Sequence, residues 1–219
     1  MADEELKLRK ASEVELLRSK SQSCEACRLA GTRTKVVFGI GNPSSPLMLI
    51  GEGPGASEDA LGEPFVGRAG KLLDECLFEA GMKRAHVYIT NIVKCRASSI
   101  EGGKIRNRPP SADEVDICVP LWLDKQIAVM SPLVILCIGS PSANAVIHKE
   151  FRILNERGKF QASKYCRYTM AALHPAFILR QEGDAFAKYR KSLVDDLRSA
   201  KEKAIQAKSE PKVTLFDEF

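Results

Sequence analysis

Four short apolar runs, each followed by a helical pattern, constrain this chain more than any other feature. "PLMLIGE" ends at Glu52, "HVYITN" at Asn91, "PLVILCIG" at Gly139, and "YCRYTMAALHP" closes on His174 and Pro175. Between and after them come the amphipathic "RAGKLLDECLFEAGM", the long "SADEVDICVPLWLDKQIAVM" and a short helix from Ser140. A last helix, from Asp184 to about Lys208, sets Phe186, Tyr189, Leu193, Leu197, Ala200 and Ala204 on one face. Ser111 and Glu114 have the spacing of a capping box, so a helix begins there. A charged helical pattern over residues 3–20 precedes the first strand. Strands alternating with helices predict an α/β fold: a mostly parallel four-stranded sheet covered on both faces. The length of 219 residues suits one domain, placed over 1–208, with 209–219 as a flexible tail. The content of 44% hydrophobic residues is enough for its core.

Ligands of such sheets bind beyond the carboxyl ends of the strands. Glu52 and Gly53 follow the first strand, Asn91 ends the second, Gly139 and Ser140 the third, and His174 the fourth. The first of these rims continues as "GEGPGASEDALGEPFVGRAGK", which sets Glu52, Glu58 and Asp59 among glycines. It is not a phosphate loop: no Gly-Lys-Ser/Thr ends it, GxGxxG is missing, and its acids would repel phosphate. A plain strand-to-helix turn also explains the glycines, and a turn histidine also explains His174. Taken together, the groups suggest one chemistry. An Asn side chain offers a donor and an acceptor that can read a nucleobase edge. Phe65 can stack on a flat base, and His174 can donate to a leaving group that becomes an anion.

The seven cysteines are Cys24, Cys27, Cys76, Cys95, Cys118, Cys137 and Cys166. Cys76 and Cys137 lie in core patterns, and Cys166 is ambiguous. Cys24 and Cys27 form a CxxC that can share a centre with Cys95 and Cys118. Four cysteines suit tetrahedral zinc or an iron–sulfur cluster, and their spacing leaves both open. Residues 97–110, "ASSIEGGKIRNRPP", read as a long polar loop; with Lys94 and Arg96 before it, Lys104, Arg106 and Arg108 stand against Glu101 alone. Such a loop can hold a phosphate backbone, or can simply be solvated. The net charge of +5 permits a nucleic-acid partner without demanding one. No apolar run is long enough to span a membrane, and "MADEELKLRK" has no apolar leader core, so the expected location is cytoplasmic.

"GEGPGASEDALGEPFVGRAG", "TNIVKCR" and "HPAF" resemble the motifs of the iron–sulfur uracil-DNA glycosylases, family 4 of their superfamily. The resemblance runs from about Cys24 to Arg180. It implies a three-layer α/β/α sandwich and a [4Fe–4S] cluster on Cys24, Cys27, Cys95 and Cys118, with a structural role. It implies base-excision repair of uracil in single- or double-stranded DNA by hydrolysis of the N-glycosidic bond. The nucleotide must be flipped out first. Phe65 then stacks on uracil, Asn91 pairs with O4 and N3–H, and backbone around Glu52 and Gly53 fixes the base. His174 faces the charge growing on O2, and Glu52 or Glu58 stabilises the sugar cation or orients water. Phe177, Ile178 or Leu179 supplies a wedge, with Arg180 near a phosphate, and Arg96, Lys104, Arg106 and Arg108 contact the DNA backbone.

Two departures stand out. Family members run "KCRPP" directly, whereas "ASSIEGGKI" intervenes here before "RNRPP". A longer basic loop resembles that of relatives that trap uracil-DNA through a histidine, but this loop has none; Arg106 stands near that place. Turnover rather than trapping is expected. Ala56 and Ser57 also leave no water-activating Asp, which fits modest or acid-dependent activity. The alternatives are a non-catalytic or trapping uracil-DNA binder, or a glycosylase with a broader range of deaminated bases. The tail "KVTLFDEF" resembles sliding-clamp peptides through Leu215, Phe216 and Phe219, with Lys212 in place of the customary Gln. A monomer is expected.

Overall fold

The apolar runs become strands because their residues can be buried from both sides. In the computed structural model, which describes residues 2–210, β2 (Leu47–Gly51), β3 (Tyr88–Asn91) and β6 (Val134–Ile138) are buried at every position. Such strands read as continuous apolar runs because helices cover both faces of the sheet. In chain order the elements are α1 (Ala2–Gln22), β1 (Ile40–Gly41), β2, α2 (Ala56–Leu61), α3 (Arg68–Glu79) and β3. Then come β4 (Ser98–Glu101), β5 (Lys104–Asn107), α4 (Ala112–Cys118), α5 (Asp124–Met130) and β6. The chain continues through α6 (Ser140–Val146), α7 (Ile153–Glu156), β7 (Tyr168–Ala172), α8 (Pro175–Ile178) and α9 (Gly183–Gln206).

The main sheet has the order β1-β3-β2-β6-β7, with β1 antiparallel and the other pairings parallel. The three-layer α/β/α reading holds, but among the described residues the sheet has five strands rather than four. The added strand, Ile40–Gly41, pairs with Ile89 and Tyr88 at the outer edge of β3. Two residues are too few to show a period in sequence; the free edge of β3 recruits them. Side-chain alternation splits the core. Leu47, Leu49, Leu136 and Met170 pack with Leu73 and Leu77 of α3 and Leu193 and Leu197 of α9. Met48, Ile50, Ile135 and Ala171 face Val14 of α1, Trp122, Ile127 of α5 and Val146 of α6. Cys166 belongs to this second core.

Two other expectations change. The helix expected over 111–130 is interrupted by a π-helical turn at Val119–Leu123, where Pro120 brings no N–H to the helical ladder. The expected loop 97–110 contains a two-stranded ribbon, β4 with β5. Its turn is Gly102-Gly103, both with positive φ, the backbone that a tight two-residue hairpin needs. Among the described residues, no helix is long and apolar enough to cross a membrane. The clamp-peptide residues Leu215, Phe216 and Phe219 lie outside the described residues.

Candidate active site and cysteine recess

The strand ends deliver their groups to one open cleft of about 520 Å³. Glu52, Gly53, Glu58, Phe65, Asn91, Arg108 and His174 all line it. Strand order explains the convergence: β2 leads to β3 on one side and lies beside β6 on the other, so the cleft opens where the sheet changes direction.

The three acids of the glycine segment separate into three situations. Asp59 is buried, and its Oδ1 accepts from the Thr34 and Lys35 N–H groups at 2.8 and 3.4 Å. Glu58 accepts from three backbone N–H groups: Val66 at 2.9 Å and Gly67 at 2.8 Å on Oε1, and Gly55 at 3.1 Å on Oε2. It holds the loop between α2 and α3 in shape. Glu52 differs, because its Oε1 is buried and has no hydrogen-bond partner among the described residues. Burial raises its pKa above the ordinary carboxylate value.

His174 stands half-buried, with a fixed tautomer. Its Nδ1 accepts from the Ala176 N–H at 3.0 Å, so in the neutral ring the proton sits on Nε2. Burial, helped by the nearby Arg180 charge, pushes its pKa down to about 4, against an opposing effect of Glu58. The ring stacks on Phe65, with centroids 5.6 Å apart and planes at 30°. Phe65 itself has a φ of +54°, rare for a bulky residue. The glycines make room for this side chain. A Cβ at Gly51 would lie 2.6 Å from Phe65 Cζ and 2.4 Å from Asn91 Oδ1, and one at Gly70 would strike the Phe65 carbonyl. At these two positions glycine serves the close approach of Phe65 and Asn91. The Asn91 side chain makes no hydrogen bond among the described residues and faces the cleft.

The basic residues scatter. Lys94 is buried and donates from Nζ to Thr90 Oγ1, the Asn91 carbonyl and Gln126 Oε1. It braces the end of β3 and presents no charge to solvent. Burial lowers its pKa to about 7. Arg108 lines the cleft but is committed to Glu114 through two bonds of 2.8 and 2.6 Å. Arg96 donates to Asn107 Oδ1 at 2.7 Å. Lys104, Arg106 and Arg180 are exposed. Of the three wedge residues, Ile178 is fully buried in the core, because helical turn α8 points it at the sheet, so it is not available for that role. Phe177, edge-on to Tyr189 at 5.3 Å, and Leu179 are half-buried. Sequence reading missed Asn107 and Arg68, which also line the cleft. Arg68 stood in plain sight within "FVGRAG", at the start of a helix; Asn107 became legible only once the ribbon was seen.

Cys24, Cys27, Cys95 and Cys118 line a second, apolar-walled recess, with Leu29, Val36, Ile117, Leu121 and Trp122. Donors are aimed at three of the sulfurs. Trp122 Nε1–H reaches Cys24 at 3.3 Å, the Lys94 N–H reaches Cys118 at 3.4 Å, and Arg33 reaches Cys95 at 3.8 Å. Burial pushes the Cys95 thiol up to about 12 and raises Cys118 as well. Among the described residues, no three His, Cys, Asp or Glu side chains crowd closely enough to hold one metal ion. The recess and the cleft are tied together by Glu114. Arg28, next to Cys27, donates to Glu114 Oε1 at 2.7 Å, on the carboxylate that also holds Arg108.

Residues 38–198 match the family model described as the uracil DNA glycosylase superfamily. The chain is 35% identical over 202 residues to the type-4 uracil-DNA glycosylase of Archaeoglobus fulgidus, covering 89% of this chain and 93% of that protein. It is 35% identical over 189 residues to the Thermotoga maritima enzyme of the same name, covering 86% and 93%. The type-4 enzyme of Sulfurisphaera tokodaii is 36% identical over 203 residues, covering 89% and 86%.

Proposed function

The chain belongs to the uracil-DNA glycosylase superfamily, and from that premise we propose how its cleft works. It is a DNA-repair hydrolase that releases uracil from DNA and leaves an abasic site. The observation that carries the mechanism is the pairing of an unpartnered buried Glu52 oxygen with a His174 whose proton is held on Nε2.

The uracil nucleotide leaves the stack and enters the cleft, at a cost of a few kcal/mol. Phe65 stacks on the base. The free amide of Asn91 accepts from N3–H and donates to O4; cytosine reverses that order and is rejected. A water adds at C1′ as the bond from C1′ to the base nitrogen breaks. The electron pair of that bond leaves with uracil, and the charge spreads to O2. Neutral His174 donates there from Nε2, a hydrogen bond that strengthens as the anion forms. Glu52 faces the sugar, takes the water proton and offsets the cationic character at C1′. Glu58 is reserved for the loop, since its oxygens already accept three backbone N–H groups. Ribbon residues 98–107 include no histidine, which supports turnover over covalent trapping.

Cys24, Cys27, Cys95 and Cys118 would hold a [4Fe–4S] cluster. The donor set fits: four thiols line one apolar recess, and N–H groups aimed at the sulfurs stabilise thiolates. The cluster would tie the N-terminal segment to α4 and to the chain after β3 and would supply no step of the hydrolysis. The clamp-binding reading of residues 212–219 rests on the peptide alone; deleting them should abolish pull-down of a sliding clamp.

The test is cleavage of a labelled oligonucleotide with one deoxyuridine, followed by hot alkali, beside cytosine, thymine and hypoxanthine controls. Cutting at uracil that disappears in Glu52→Gln and His174→Ala supports the assignment. Full activity in Glu52→Gln would remove Glu52 from the mechanism.

A further inference from the structure

The β4–β5 ribbon carries an apolar pair that the reaction does not use. Ile100 and Ile105 lie directly opposite each other in register, and are 77% and 64% exposed. Pleating alternates side chains, so Ser98, Ile100, Ile105 and Asn107 share one face, while Ser99, Glu101, Lys104 and Arg106 share the other. Asn107 lines the cleft, so the isoleucine face is the one that runs into it. The base of the ribbon is anchored by Arg96 on Asn107 and by the Arg108 N–H on the Ala97 carbonyl at 3.1 Å. Among the described residues, its outer part is held by its own pairing, by a Ser99 Oγ–Glu101 hydrogen bond of 3.1 Å and by a loose Arg106–Glu101 contact of 3.6 Å.

We propose that this ribbon is a duplex-reading arm. Ile100 and Ile105 press into a groove beside the extruded nucleotide, while Lys104 and Arg106 meet the phosphates that wall it. The inference rests on the uracil-DNA reading of the cleft. Three features on the ribbon select double-stranded DNA as the occupant. Its cations complement a polyanion. Its apolar face is continuous with the cleft that takes the base. Its two-stranded width is what a major groove admits, and four residues per strand reach about 13 Å against a groove depth of about 8.5 Å. A single strand has no groove for the isoleucine pair to enter and reaches the cleft without it.

The test uses the full chain with the double substitution Ile100→Ser and Ile105→Ser, whose exposed positions leave the fold intact. Single-turnover cleavage is measured on one uracil-containing strand, alone and annealed opposite guanine, and binding to both is measured in parallel. The expected result is a fall of about tenfold on the duplex, in rate at subsaturating protein and in affinity, with the single strand within about twofold. Equal falls on both substrates, or no fall on either, would overturn the proposal. If the unsubstituted protein cuts neither substrate, the glycosylase reading fails by itself. The binding arm still decides the ribbon, because selective loss of duplex affinity supports it and unchanged affinity overturns it.

Discussion

The cleft and the cysteine recess are separated by only a few residues of chain, between Asn91 and Cys95, yet they treat polar atoms in opposite ways. In the cleft, the amide of Asn91, one oxygen of Glu52 and Nε2 of His174 have no hydrogen-bond partner among the described residues. In the recess, three of four sulfurs already have N–H groups aimed at them. An unpaired buried carboxylate oxygen costs free energy. A fold retains such an oxygen where a substrate or a water is to supply the missing partner. Satisfied sulfurs in an apolar wall describe a centre that is to be held still. On the proposed mechanism, the difference separates a site for reaction from one for cohesion.

The sharpest way to break this comparison is Glu52→Gln. It should lower kcat by about a thousandfold, within the range for a lost acid–base group, with duplex affinity retained. Loss of affinity without loss of kcat would move Glu52 to the cohesive side. His174→Ala should cost about a hundredfold in kcat with little change in KM, by removal of one donor to the leaving base. Because burial holds His174 near 4, its proton count does not change at neutral pH. The acid limb of the pH–rate profile should therefore follow Glu52, above the ordinary carboxylate value, with activity rising as Glu52 ionises. Cys118→Ser should do the reverse of Glu52→Gln. It should remove visible absorbance from the purified protein and lower Tm by several degrees, with cleavage by the surviving folded fraction still uracil-specific. Glu58→Gln sharpens the contrast within the cleft, with a stability loss of about 1–3 kcal/mol and a rate loss below about tenfold. The smallest effect belongs to Lys104→Ala with Arg106→Ala, which should reduce the slope of log affinity against log salt by about 2.

The sheet was legible because buried parallel strands write continuous apolar runs, and the site was legible because such sheets gather ligands at strand ends. "TNIVKCR" and "HPAF" therefore placed Asn91 and His174 on one rim, and both line the candidate cleft. What could not be read depended on partners distant in sequence. Glu52 and Glu58 look alike in the chain, and only the N–H groups of Gly55, Val66 and Gly67 tell them apart. Lys94 reads as surface charge until Gln126 closes over it. Ile178 reads as a wedge until α8 turns it inward. Gly102-Gly103 was a hairpin signal hidden in a polar stretch, since exposed ribbons do not alternate apolar with polar residues strongly enough to announce themselves.

Glu114 is a fully buried carboxylate shared by Arg28 and Arg108, which hold its pKa well below the usual range. Mechanically it is a rivet through two plates: one arginine follows the CxxC, the other forms part of the cleft wall. Its grip is present at neutral pH and is lost only as acid protonates the carboxylate. The positions of the two plates are thus set by a joint made entirely of protein. Damage to the cysteine centre would loosen one side of the joint while the rivet still holds the other in place, so the wall of the cleft should outlast the centre behind it.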